Sequence, residues 1–296
     1  MFNEKINKKI LFLGPKGSYT DLAKDKFIEK FGFANIEEIS KYSIISLIRE
    51  IDENNDKNLL AVIPVENSIE GFVRETLDNL SRVNDLSIKI LAEVVIPISH
   101  CLITRAQELS QIHTVLSYPQ GIAQCRGFLN ENLSEELTIK TASSTAQAVK
   151  DVLDSDDDGV AAIGSEKAAM LYNVPILKKE INDVKDNKTR FILLGREETQ
   201  RTGHDKTSIT FTTENKPGAL NKVLNILEKY NINMSYINSR PSKTFLGEYT
   251  FYIDFDGHVK DLKIAKALFE IIQYTKSFKH VGSYAKHADE IGFELF

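Results

Sequence analysis

Cysteine is nearly absent from this chain, with Cys101 and Cys125 the two present. Their separation excludes a CxxC redox or zinc motif, and two thiols cannot build a disulfide framework. Such usage fits a reducing cytosol. Long apolar runs are missing too: none approaches the roughly 18 residues that a bilayer crossing needs, and residues 1–9 are polar and charged. A cytoplasmic protein without membrane association is expected. No surplus of positive charge exists either, since the formal charge is −5 and the Lys and Arg residues are interspersed with acids. That balance excludes a general nucleic-acid footprint and leaves small molecules as the expected ligands.

Several reaction signatures are also missing. The six histidines show no HExxH or paired ligand spacing, and no GxSxG elbow marks a serine hydrolase. The stretch 154–159 opens like an EF-hand loop, but the twelfth position, which needs a bidentate Glu, is Ser165. Strand-like residues 160–163 follow where a helix belongs, so a solvated acidic turn is expected. Neither a metal nor a cofactor is anticipated. His100 follows a strand and reads as a buried structural side chain.

What is present is the composition of a folded protein, 296 residues with 42% hydrophobic and 27% charged, long enough for two domains. Apolar runs at 10–13, 59–63, 94–98, 114–117, 160–163 and 191–194 alternate with helical patterns at 21–31, 43–52, 71–80, 122–130 and 146–153. This alternation predicts an α/β fold with a largely parallel sheet. A polar, aperiodic stretch at 196–205 is the expected linker. Beyond it, strands at 207–213, 232–238, 249–255 and 278–284 with helices at 218–230 and 261–274 give a βαββαβ order, the ferredoxin-like arrangement.

Four strand–turn–helix junctions in the first part share one design: Gly14-Pro15-Lys16-Gly17-Ser18-Tyr19-Thr20, Pro64-Val65-Glu66-Asn67-Ser68, Ser117-Tyr118-Pro119-Gln120-Gly121 and Ser143-Ser144-Thr145-Ala146. Helix N-termini expose unpaired N–H groups and a positive dipole end, and ligands of open α/β sheets sit at the carboxyl ends of strands. Each junction alone reads more readily as an ordinary capped turn. Together, with the amides of Asn67 and Gln124, they point to a small carboxylate held by neutral donors. The first loop matches neither GxGxxG nor GxxxxGK[ST], which disfavours a nucleotide.

The segments Gly14-Pro15-Lys16-Gly17-Ser18-Tyr19, Pro64-Val65-Glu66-Asn67-Ser68-Ile69-Glu70-Gly71 and Asn187-Lys188-Thr189-Arg190-Phe191 together resemble the prephenate dehydratase family. The match is collinear, and Ser117, Gln120 and Gln124 fall in its Ser-x-Pro-Gln segment. The resemblance implies a bilobed catalytic domain over 1–197, similar in fold to periplasmic-type solute-binding proteins, with a second lobe at about 97–172 and prephenate between the lobes. It implies a decarboxylating dehydration that gives phenylpyruvate. Thr189 is then assigned to the departing hydroxyl, Arg190 to a substrate carboxylate or to positioning of the motif, and Phe191 to packing at the ring region. Glu66, Asn67, Ser117 and Gln124 complete the catalytic set, and Glu66 is either a contributing acid or the partner of a basic group. Gly17, Ser18, Ser68, Gln120, Ser144 and Thr145 are the expected substrate contacts. Tyr118 departs from the usual His of relatives, so that position carries no obligatory acid or base.

Residues 205–290 resemble the ACT domain of the same family, with Gly218-Ala219-Leu220 and Asn238-Ser239-Arg240-Pro241 matching its phenylalanine-binding segments. L-phenylalanine is the effector this implies, within a homodimer or tetramer. Relatives commonly carry Glu at the position of Asn238, which weakens recognition of an ammonium group. Arogenate dehydratase and a non-catalytic amino-acid sensor are the competing readings. A fused chorismate mutase is not expected, because the strand at 10–13 begins almost at the start.

Overall fold

The computed structural model describes residues 8–242 and 247–287. The outermost positions of the expected domain spans, 1–7 and 288–290, lie outside the described residues. The first lobe is built from β1 (Lys9–Leu13), α1 (Tyr19–Phe31), β2 (Glu37–Lys41), α2 (Ile44–Glu53), β3 (Leu59–Asn67), β4 (Gly71–Phe72), α3 (Arg74–Leu80) and β5 (Lys89–Pro97). The chain then forms a second lobe from β6 (Cys101–Thr104), β7 (Thr114–Ser117), α4 (Pro119–Ala123), α5 (Arg126–Asn132), β8 (Thr138–Thr141), α6 (Thr145–Leu153), β9 (Val160–Gly164), α7 (Glu166–Tyr172) and β10 (Ile176–Lys178). It returns to the first sheet as β11 (Lys188–Gly195).

The main path of the first sheet is β2-β1-β3-β11-β5, and the second sheet runs β10-β6-β9-β7-β8. Both are mixed, which corrects the expectation of a largely parallel sheet. β1 is parallel to β2 and β3, whereas β11 is antiparallel to both of its neighbours. A strand that re-enters from another lobe comes back in the opposite direction, and apolar runs alone carry no sign of that.

The first sheet is buried on both faces, as the near-continuous apolar sequence of β3 requires. One face packs Ile10, Phe12, Val62, Phe191 and Leu193 beneath Ala23 and Phe27 of α1. The other packs Ile63, Ile192 and Leu194 with Leu47 and Ile51 of α2.

After an irregular connection come β12 (Asp205–Thr212), α8 (Ala219–Lys229), β13 (Met234–Pro241), β14 (Tyr249–Asp256), α9 (Leu262–Ile272) and β15 (Ser277–Ala285). They form an antiparallel sheet of order β13-β14-β12-β15, the βαββαβ topology expected. One face carries the two helices. The other docks on the first lobe, where Val281 and Tyr284 of β15 belong to the same core as Ile63 and Leu194. Gly282 makes the approach possible, since a Cβ there would lie 2.5 Å from the carbonyl oxygen of Ile90. No helix of the described residues is long and apolar enough to cross a membrane.

Candidate active site

Two chain crossings join the lobes, and they run side by side. Ile98 N–H donates to the carbonyl of Asn187 at 2.8 Å, and Ile181 N–H to that of His100 at 3.0 Å. The His100 N–H reaches Oδ1 of Asn182 at 2.5 Å. Thr189 is the second residue of β11, so it stands where the returning chain leaves this joint. Its Cα partners are Asn67 at the end of β3 and Ile96 of β5.

A chain of amides converges on the Thr189 hydroxyl. Asn67 Nδ2 donates to Thr189 Oγ1 at 2.9 Å and to Asn187 Oδ1 at 2.7 Å. The Asn67 amide cannot be reversed, because its Oδ1 accepts the N–H groups of Ile69 and Glu70 at 3.0 and 2.9 Å. Asn187 Nδ2 in turn donates to Gln124 Oε1 at 3.0 Å, and His100 Nε2 lies 3.1 Å from the same oxygen. A carbonyl oxygen only accepts, so His100 carries its hydrogen on Nε2. The Tyr19 hydroxyl, which donates to Ser99 O at 2.7 Å, lies 3.1 Å from His100 Nδ1. Burial pushes the His100 pKa below its ordinary value, and the Gln124 contact opposes this only in part. The imidazole is therefore neutral at physiological pH.

Asn67 Nδ2, which also lies 3.2 Å from Lys188 O, donates into Thr189, and the consequence falls on Thr189. Its oxygen already accepts a hydrogen, so its own hydrogen is the one left to give. The sequence reading placed Thr189, Asn67 and Gln124 in the catalytic set, and the structure brings these three together through Asn187. Asn187 was quoted in a motif without a role, and Tyr19 and His100 received none in catalysis. Nothing at sequence level tied His100 to Gln124. The expected helix at 122–130 is in fact broken into α4 and α5 at Gln124–Cys125, and Gln124 at that break sets its amide against His100 and Asn187 of the crossings.

In the second lobe Ser117 ends β7 fully buried, and its hydroxyl donates to Ile163 O at 2.8 Å. A Cβ on Gly121 would lie 2.7 Å from Ser117 Oγ and 3.3 Å from the Thr145 methyl, so these three residues gather at one place. Ser144 caps α6 by accepting from Gln147 N–H at 2.9 Å. Gln120 is exposed on α4, and Tyr118 is 43% exposed.

Other residues of the expected set have partners inside the protein. Arg190 does not share the surroundings of Thr189, because adjacent strand residues point to opposite faces. Its guanidinium is buried between the first lobe and the C-terminal sheet, with Nη1 2.8 Å from Asp254 and 3.2 Å from Glu93. Burial opposes this charge, but Asp254 and Glu93 hold the pKa of Arg190 above its usual value. Glu66 lies 3.4 Å from Arg190 Nε and so is the partner of a basic group. Phe191 is a core residue under α1.

Gly17 and Ser18 are also engaged internally. The Gly17 N–H donates to Asp21 at 2.9 Å and its carbonyl accepts from Ser165 of the second lobe at 2.7 Å. Ser18 Oγ accepts from Asp21 N–H at 3.2 Å and donates to Leu13 O at 3.0 Å. Asp21 brings a negative charge to this loop, answered by Lys24 and Lys167. The loop is thus a contact between lobes and not an anion cradle. Ser68 pins the return crossing, with Oγ accepting from Lys188 N–H at 2.9 Å and donating to Asp186 O at 3.3 Å.

In the C-terminal sheet Gly218, Ala219 and Leu220 line a hollow of about 410 Å³ together with Asn215, Tyr249 and Phe251. Gly218 has φ 76°, a left-handed conformation that opens α8 without a side chain in the way. Asn238, Ser239, Arg240 and Pro241 lie on the neighbouring edge strand β13 and do not line that hollow. Arg240 reaches the first lobe instead, 3.1 Å from Asp78 of α3.

Comparison with known proteins bears directly on this arrangement. The prephenate dehydratase family model matches residues 10–199, and the ACT domain model matches 207–273. A prephenate dehydratase of Methanocaldococcus jannaschii is 39% identical over 282 residues, covering 94% of this chain and 98% of the relative. The solved prephenate dehydratase of Arthrobacter aurescens, in complex with L-Phe, superposes with a TM-score of 0.84 at 33% identity, covering 94% of this chain and 90% of that one. A structure described as GqqA, a quorum quenching acylase, superposes at 0.80 with 25% identity, covering 94% of this chain and 98% of that one. A family match spanning both lobes, and a relative at 39% identity along nearly its whole length, carry one conclusion: the chain belongs to the prephenate dehydratase family and bears an ACT domain on its C-terminal side.

Proposed function

We propose that the joint between the lobes holds prephenate and that Thr189 donates its hydroxyl hydrogen to the ring hydroxyl as it departs. In the reaction the bond from the ring to its carboxylate breaks, and its electron pair becomes part of the aromatic ring. The C4–O bond breaks with its own pair, and one proton is taken up so that water leaves beside CO₂. Aromatisation drives the step. The protein supplies orientation and help for a poor leaving group. A threonine hydroxyl is too weak an acid to be a free proton source, so its part is that of a preorganised donor, strongest where charge develops on the departing oxygen.

The observation carrying this reading is the 2.9 Å bond from Asn67 to Thr189, which directs the threonine hydrogen outward. Substrate carboxylates are taken by the N–H groups that open α6 at Thr145, with Ser144 and Gln120 beside them. Incubating the chain with prephenate and following phenylpyruvate tests the proposal. Arogenate in a parallel assay decides the substrate: faster turnover of prephenate is expected, and the reverse preference would make this an arogenate dehydratase. No turnover of either compound by folded protein would leave only the amino-acid-sensing reading.

L-phenylalanine is the proposed ligand of the Gly218–Ala219–Leu220 hollow, because the Arthrobacter relative was solved in complex with it. The outer edge of β13 pairs with no other strand among the described residues. A second copy of the chain meeting that edge, in a dimer or tetramer, would bring Ser239 to Pro241 into a shared site. The cytoplasm is the proposed compartment.

A further inference from the structure

Arg190 is the residue after Thr189, and its side chain leaves the sheet on the opposite face. Its Nη1 donates to Asp254 Oδ2 at 2.8 Å and to Glu93 Oε2 at 3.2 Å. Asp254 lies on β14, so this contact reaches from the regulatory sheet to the catalytic strand. The other oxygen of Asp254 accepts from the Ser208 hydroxyl of β12 at 2.5 Å. Glu93 also receives Lys206 of β12 at 3.1 and 3.2 Å. Asp254, Glu93 and Ser208 are fully buried, and Arg190 and Lys206 almost so.

A buried ionic cluster is a poor source of stability, because desolvation offsets most of the attraction and apolar packing serves equally well. Its distinctive property is direction: one guanidinium nitrogen, Nη1, is held between two oriented carboxylates, while Nε and Nη2 are buried without a hydrogen-bond acceptor, so the side chain is fixed through that one atom. The pairing of β11 with β3 shifts register between Arg190 and Phe191, whereas its pairing with β5 runs unshifted from Lys188 to Leu193. An interruption on one side bends a strand and re-aims its side chains. A side-chain anchor at Arg190, the last residue before the shift, then adds to the ladder in setting the angle of the strand end.

We propose that Asp254 is a positioning residue for catalysis: from the regulatory sheet it holds Arg190 and thereby fixes the direction in which Thr189 presents its hydroxyl. This rests on the reading of Thr189 as the donor to the departing group. The test uses the full chain carrying Asp254→Asn, which keeps the shape and the Ser208 contact but removes the charge. The expected result is a kcat lower by roughly 10- to 100-fold, the scale of a misplaced reacting group, with KM for prephenate unchanged within about twofold.

Arg190→Gln is expected to show the same split, and the double variant to be no slower than Arg190→Gln alone, because both act through one contact. Native kcat in folded Asp254→Asn, or losses that multiply in the double variant, would overturn the proposal. Should Asp254→Asn not fold, Ser208→Ala replaces it, since it loosens Asp254 while keeping the charge. A several-fold loss of kcat at constant KM is expected, and full kcat would overturn the claim. Thr189→Val separates the two levels. If Thr189→Val keeps native turnover, the donor reading falls; if it is inactive while Asp254→Asn is unimpaired, only the positioning claim falls.

Discussion

Thr189, Asn67 and Gln124 illustrate what a side chain gains from its neighbours. Alone, a threonine hydroxyl rotates among three staggered positions, and its hydrogen favours none of them strongly. With Asn67 donating at 2.9 Å, one lone pair is used and the hydrogen is turned away from the amide. Asn67→Ala is expected to lower kcat by about 100-fold with a smaller change in KM, the scale of losing one preorganised donor. Steady-state kinetics on protein with a native circular dichroism spectrum checks it. Glu66→Gln is expected to retain turnover within about threefold, because Glu66 is half-exposed and 3.4 Å from Arg190, whose guanidinium keeps its closer carboxylates Asp254 and Glu93. A loss of about 100-fold or more would return Glu66 to the mechanism.

At this scale the sequence names the residues of a motif but not the faces they take, which strand alternation decides. Thr189, Arg190 and Phe191 are consecutive, yet they serve the site, the junction with the regulatory sheet and the core respectively. The part of His100 depended on burial and tautomer, which exist only once the crossings are folded together.

Among the elements, β15 carries the most consequence, since it belongs to one sheet and completes the core of another. Its Gly282 is pressed against the Ile90 backbone, where nothing flexible can yield. Gly282→Ala is expected to destabilise the chain by about 1–3 kcal/mol, the cost of overpacking a filled contact, seen as a lower midpoint in thermal or urea unfolding. His280 on the same strand has its pKa lowered from 6.5 to about 4 by burial, then by Lys89 and His258, with the Gly282 backbone opposing.

A histidine held neutral in the folded state binds fewer protons than in the unfolded chain. Its contribution is therefore intact above 6.5 and lost as the pH falls towards and through about 4. Thermal unfolding across that window should show a falling midpoint, and His280→Gln should flatten the slope. An unchanged slope in the variant would assign the acid sensitivity to other groups.

Most of the apolar strands and the longer helices were readable in sequence because their burial is written as pattern, whereas the buried four-residue β6, close behind β5, was not. β2 and β8 were missed because each is a short, largely exposed strand beside a sheet whose core lies elsewhere. The stretch expected as one helix from 71 begins as a two-residue strand, β4, before α3 starts at Arg74.

For the whole molecule, outline does not choose chemistry, since a structure described as a quorum quenching acylase shares this shape at a TM-score of 0.80. In the proposed function the choice lies in the relay from His100 through Gln124 and Asn187 to Asn67 and Thr189, whose members come from both lobes and their two crossings. The order of the domains and the βαββαβ signature were visible in the sequence. The docking of the regulatory sheet was not, because it depends on Gly282, Val281 and Tyr284 meeting a core formed almost two hundred residues earlier in the chain.

The most direct measurement compares prephenate turnover by the native chain and by Thr189→Val, a change that keeps the shape of the side chain and deletes the hydroxyl. Phenylpyruvate formation by the native chain and a kcat lower by about 100- to 1,000-fold in the variant, with its fold intact, is the predicted result. A Thr189→Val protein that turns over prephenate within about threefold of the native rate would contradict the account.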